Sequence, residues 1–200
     1  MSCDYKDALL TTALQSFKSN LTLPAKGKQT YLEEHIRSCW TDALKISGKS
    51  CLTEAKSFQD VSFVWSSVQQ IKGSRLNLPC SSELSVLGIL WEDGIHSMSA
   101  DLDAVVSAIP EALCVDQSQQ STLVAVLCTY HAGNCWLNKD EELGHWIMHD
   151  ASAPRSQVFG SWAQAQEKLS SSGRFRTREK ALGTFRPTLF LFLALGFDAL

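Results

Sequence analysis

The sequence predicts an α+β fold, a helical N-terminal part followed by a largely antiparallel sheet with flanking helices. Three observations predict it. Apolar residues recur at helical spacing through the first third of the chain. From Ser85 onward short Val- and Leu-rich runs alternate with amphipathic segments. Those runs come in the order strand, helix, strand, strand, helix, strand, which suits helices packed on a mostly antiparallel sheet.

Taken in order, Ala8, Leu9, Ala13, Leu14 and Phe17 fall on one helical face between Asp4 and Phe17, and Pro24 and Gly27 break the pattern. Thr30 and Glu33 stand at capping-box spacing, so Thr30 is expected to cap a helix with Leu32, Ile36, Cys39, Trp40, Ala43 and Leu44 inward and a stop near Gly48. Glu54 to Ile71 reads as a third helix with Phe58, Val61, Val64, Trp65 and Val68 buried, ended by Gly73. Residues 1–75 therefore read as a helical region, and 76–200 as a sheet-bearing subdomain.

Pro79 and its serines mark the change of texture. Ser85 to Trp91 (SVLGILW) reads as a strand. Ser99 or Asp101 is placed to cap a helix with the stripe Leu102, Val105, Val106 and Ile109, ended by Pro110. Leu123 to Cys128 and Trp146 to Met148 read as the two central strands, joined by an irregular loop that brings Tyr130 to Asn138 close to Asp150. Gly160 and Ser161 open a helix with Trp162, Ala165 and Leu169 inward, and Thr188 to Leu195 is the closing strand.

Composition narrows the function. The 200 residues, with 44% apolar and a net charge of −3, suffice for a domain with a proper core and give no disorder signature. The one basic cluster, Arg174 to Lys180, is too short to argue for nucleic acid. Seven cysteines form an odd set without a C-x-x-C pair or finger spacing, and no signal-peptide pattern precedes them. The expectation is an intracellular protein, cytoplasmic or nuclear, with reduced thiols, no metal and no cofactor. The apolar run from Leu189 to Leu195 falls well short of the roughly 20 residues that span a membrane, so no membrane role is expected.

From about Ser85 to Ala194 the chain resembles the C-terminal half of the catalytic domain of ubiquitin-specific proteases, the large papain-like family of deubiquitinases. The residues that carry the resemblance are VLGILW, a helix ending before Pro110, LVAVLCTY, WIMHD, a Val and then GSW opening a helix, and RPTLFLFLA, in the family's order. WIMHD followed by GSW resembles most closely the plant branch, many of whose members are regarded as inactive. The resemblance implies a papain-like cysteine-protease fold, a thiolate nucleophile, a His base, an acid that orients the His, and ubiquitin or a ubiquitinated protein as partner.

Carried over residue by residue, the resemblance matches Asp150 to the triad acid. The family's Gly-His-Tyr element falls on Gly133 and Asn134, so the expected His is missing. His131, two residues early, is the candidate base. His145 and His149 fall on the strand face opposite Asp150 by alternation, His145 as a surface residue and His149 as a solvated or packed imidazole. GNCWLN resembles the family's nucleophile box but lacks the spacer before Cys135, comes late in the chain and runs into KDEE. Cys135 is nonetheless the candidate nucleophile, with Cys3 at the head of the first helical pattern as the other. The leading expectation is a catalytically deficient, ubiquitin-specific-protease-like protein that binds ubiquitin or a partner in its pathway. The alternatives are an active cysteine-type deubiquitinase using Cys135 or Cys3 with His131 and Asp150, and an incomplete structural remnant. Cys128, Trp91, Trp146 and Trp162 read as core residues, and KDEE as a solvated loop.

Overall fold

The computed structural model describes residues 29–46, 61–73, 82–91, 98–116, 119–130, 133–140, 142–150, 155–172, 176–177, 180–181 and 186–195. The helical pattern over residues 4–17, Cys3 and His131 lie outside them. Among the described residues are four helices, α1 (Gln29–Ile46), α2 (Val68–Gly73), α3 (Met98–Ala108) and α4 (Trp162–Ser172). The strands are β1 (Val61–Ser67), β2 (Leu84–Leu90), β3 (Ala112–Asp116), β4 (Gln119–Tyr130), β5 (Gly133–Lys139), β6 (Trp146–Asp150), β7 (Gln157–Phe159), β8 (Arg176–Thr177), β9 (Lys180–Ala181) and β10 (Arg186–Leu195).

Eight strands form one sheet in the order β1-β2-β10-β4-β5-β6-β7, with β3 paired to the first part of β4; β8 and β9 form a separate ribbon. Only β1 and β2 run parallel among these pairs. The architecture is α+β with a mostly antiparallel sheet, as the order of apolar runs predicts.

Helices cover both faces of the sheet. On one face Leu32, Ile36, Cys39 and Trp40 of α1 pack against Val86, Val124, Ala125, Leu127, Leu189 and Leu191. On the other, Ile71 of α2, Val105 of α3, Ile109 just past its end, and Trp162, Ala165 and Leu169 of α4 pack against Leu87, Val126, Trp146, Met148, Phe190 and Phe192. The described side chains of the stripes read from the sequence, Leu32, Ile36, Cys39 and Trp40 of α1 and those of α3 and α4, are thus the buried ones, because i, i+3 and i+4 positions share a helix face. α1 and β1 share this core with β2, β4 and β10.

Three local readings are corrected. Val61 to Ser67 is a strand, not part of a helix: VSFVWSS is rich in β-branched and aromatic residues, and pairing with β2 along its whole length outweighs the helical spacing. Thr30 lies inside α1, and Glu33, instead of closing a capping box, accepts a hydrogen bond from Trp65 Nε1 at 2.7 Å. Ser99 and Asp101 lie within α3, where Asp101 pairs with Lys72 of α2.

Trp65 also explains the glycine of VLGILW. It stands opposite Gly88 in the β1–β2 register, and a Cβ on Gly88 would sit 2.3 Å from its ring. The missing side chain lets the indole lie flat on β2.

Between β4 and β10 the register shifts twice: Thr188 is the extra residue on β10 and Val124 the extra residue on β4. The second bulge places Leu123 with Val126 and Cys128 on the α3–α4 face, and Ala125 and Leu127 on the α1 face.

Candidate functional site

The stretch from Tyr130 to Asn138, expected as a loop beside Asp150, is largely strand. β5 lies between β4 and β6 and pairs with both. GNCWLNK itself alternates: Cys135 and Leu137 enter the α3–α4 core, while Trp136 packs on the α1 side. That period of two was the signal for the strand, masked by Gly133 and Asn134, which read as turn residues.

The β4–β5–β6 meander brings together two of the candidate residues and one unexpected neighbour. Cys135 stands opposite Cys128 on β4 and opposite Asp150 on β6. Asp150 follows Trp146 and Met148 on their face by alternation, so all three polar groups address the α3–α4 side. Cys128 and Cys135 are each 1% exposed and are free thiols.

This environment sets the thiol chemistry. Burial pushes the Cys135 thiol well above its ordinary range, and the hydrogen bond with Cys128 and the charges of Cys128 and Asp150 push the same way. A thiolate nucleophile needs the reverse, an electropositive and accessible position. At neutral pH Cys135 is a protonated thiol under two helices.

His149 is packed and hydrogen-bonded, as alternation predicts, on the face away from Asp150. Its ring stacks on Trp136 with centroids 5.0 Å apart and planes 20° apart. Nε2 lies 3.0 Å from Asn138 Oδ1, and Nδ1 lies 2.9 Å from Ser156 Oγ. His145 is half-buried just before β6, and its carbonyl accepts from the Asp140 amide at 2.7 Å.

The KDEE segment is more structured than a solvated loop. Lys139 pairs with Glu111 at 2.7 Å, and Asp140 Oδ1 accepts from the amides of Glu142 and Leu143 at 3.0 and 3.1 Å. Gly144, with φ of 67°, closes this turn. The tryptophans anchor the core: Trp146 and Trp162 are buried with ring centroids 4.8 Å apart. Trp162 Nε1 donates to the Ile109 carbonyl at 3.0 Å, and half-buried Trp91 donates to that of Pro187 at 2.8 Å.

Among the described residues no group of three or more His, Cys, Asp or Glu side chains could hold a metal ion, and no helix is long and apolar enough to cross a membrane. No protein-family model matches the chain, and no curated protein does.

Proposed function

We propose that the chain is a ubiquitin-specific-protease-like domain of papain-like type that binds ubiquitin, or a partner protein of the ubiquitin pathway, without cleaving isopeptide bonds. What supports the family reading is the order of its pieces. VLGIL lies on β2 with its Trp91 just past the strand, LVAVLCTY lies on β4, WIMHD on β6 and RPTLFLFLA on β10, all four strands in one sheet, and GSW leads into α4.

The observation that carries the non-hydrolytic reading is the setting of Cys135. The matched triad acid, Asp150, is its neighbour across β5 and β6, yet the thiol is buried and its ionisation suppressed. Attack on an isopeptide carbonyl needs a thiolate and an adjacent base. Gly133, where the base is expected, has no side chain to offer. Helices on both sheet faces favour a folded binding module over a remnant.

The test is incubation of the full chain with ubiquitin carrying a C-terminal electrophile, beside a titration with labelled ubiquitin. The expected result is saturable binding with no covalent adduct. Capture at Cys135 or Cys3 would instead establish an active thiol hydrolase, and absence of saturable binding would remove ubiquitin as the partner.

A further inference from the structure

On the sheet face opposite Cys135, three polar side chains from three adjacent strands form a connected line. Asn138 of β5, His149 of β6 and Ser156, which immediately precedes β7, are linked by the two hydrogen-bond contacts of the imidazole. Asn138 Oδ1 can only accept, so in the neutral imidazole it takes the Nε2–H and Nδ1 is the lone-pair nitrogen. Ser156 Oγ then donates its proton to Nδ1 across 2.9 Å. A hydroxyl bonded to a neutral imidazole whose other nitrogen is held by a third group is the arrangement that activates a serine nucleophile.

Two further features suit catalysis. Trp136 lies against the ring at 5.0 Å, so its π face fixes the imidazole plane and stabilises the imidazolium that forms when the serine proton is taken up. Ser156 is exposed and His149 half-buried, so a substrate carbonyl can reach the hydroxyl. Beside them Val158, 61% exposed, is paired in register with half-buried Ile147 and provides an apolar strip for an acyl chain.

We infer that Ser156, His149 and Asn138 form a serine-nucleophile site for short apolar acyl esters. Ser156 Oγ attacks the ester carbonyl carbon as its proton moves to His149 Nδ1. The bond from that carbon to the alcohol oxygen breaks, and the Nδ1 proton passes to the leaving alkoxide. Water, deprotonated by the same nitrogen, then releases the acid and restores Ser156. Nothing in this sequence uses Cys135 or Asp150, and it does not rest on the ubiquitin reading.

The experiment treats the full chain with an alkyl fluorophosphonate, locates the adduct by peptide mass spectrometry, and measures p-nitrophenyl butyrate hydrolysis. The expected adduct is on Ser156, absent in Ser156→Ala, with the labelling rate lowered about 100-fold or more in His149→Gln. Asn138→Asp should retain labelling and Asn138→Leu should lose most of it, a contrast that simple loss of packing does not produce. A folded wild-type chain that stays unlabelled, or is labelled elsewhere, overturns the proposal. Should His149→Gln fail to fold, Ser156→Cys provides the second readout. Its alkylation rate is expected to be already at a plateau near pH 7, as for a thiolate paired with an imidazolium, and a rate that rises only above about pH 8, as for a free thiol, overturns the proposal.

Discussion

The ionisation of Cys135 decides whether the meander can act as a thiol site, and it can be measured as stability. The perturbation is Cys135→Ala, compared with the wild type from pH 7 to pH 10. In the unfolded chain the thiol ionises near its reference pKa, about 8.5, whereas in the fold burial, Cys128 and Asp150 hold it well above its ordinary value. The sign follows from proton binding. Below the unfolded pKa both states carry the proton, so the thiol's contribution is fully present. Above it the folded state keeps a proton that the unfolded state has released, so stability falls as pH rises, until the folded pKa is reached. The slope approaches about 1.4 kcal/mol per pH unit, so the wild type should lose up to about 2 kcal/mol by pH 10 through this one group. Truncation to Ala leaves a small cavity that costs about 1–2 kcal/mol at every pH. The difference between the two proteins in urea unfolding is therefore expected to shrink steadily above pH 8.5. A difference that is flat from pH 7 to pH 10, or rapid alkylation of Cys135 in the folded protein at pH 7.5, would refute the reasoning and reopen the thiol as a nucleophile.

Three further perturbations test the frame that holds the meander. Gly88→Ala forces the Trp65 ring back by about 1.2 Å, from 2.3 Å to an ordinary contact, and strains its hydrogen bond to Glu33, so thermal unfolding should show a loss of about 2–3 kcal/mol; in a Trp65→Ala background the same change should cost far less, which a double-mutant cycle reads directly. Ser161→Ala removes the hydroxyl that accepts from the Gln164 amide at 3.3 Å and should cost about 1 kcal/mol in chemical denaturation, with Ser161→Asp restoring most of it. Gly144→Ala places a Cβ at φ of 67° and should cost about 1 kcal/mol, while Gly144→Asn, a residue that tolerates this region, should cost less in the same assay.

The sequence exposed the parts of this fold whose pattern is local. The stripes of α1, α3 and α4 and the apolar runs of β2, β4, β6 and β10 each carry a period that their own residues reveal. β1 is ambiguous in the sequence because Val61, Val64, Trp65 and Val68 also fit a helix, and only pairing with β2 decides between the two. β3 escaped because ALCVD is short and follows a Pro-ended helix, with nothing in it to oppose a loop reading. The closeness of Cys135 to Asp150 is legible in the sequence as a hairpin, but the element that produces it, strand β5 lying between β4 and β6, is not. Ser156 left no local sign at all, since it meets His149 only where β7 folds back along β6.

The two faces of β5 and β6 differ in what chemistry they permit. His149 and Asp150 are adjacent in sequence, and strand alternation sends them to opposite faces, so His149 cannot serve as the base for an Asp150 and Cys135 pair. The face that holds Cys135 is closed by α3 and α4, and a dry environment raises the thiol and suppresses the thiolate. The opposite face keeps Ser156 in solvent and gives His149 a partner for each nitrogen and an aromatic ring beneath it. A serine needs no prior ionisation, only a base in hydrogen-bond reach, and so it can be activated where the thiol cannot. If the meander does covalent chemistry, these environments assign it to the Ser156 face, and ubiquitin-probe capture at Cys135 with no fluorophosphonate adduct at Ser156 would reverse that assignment.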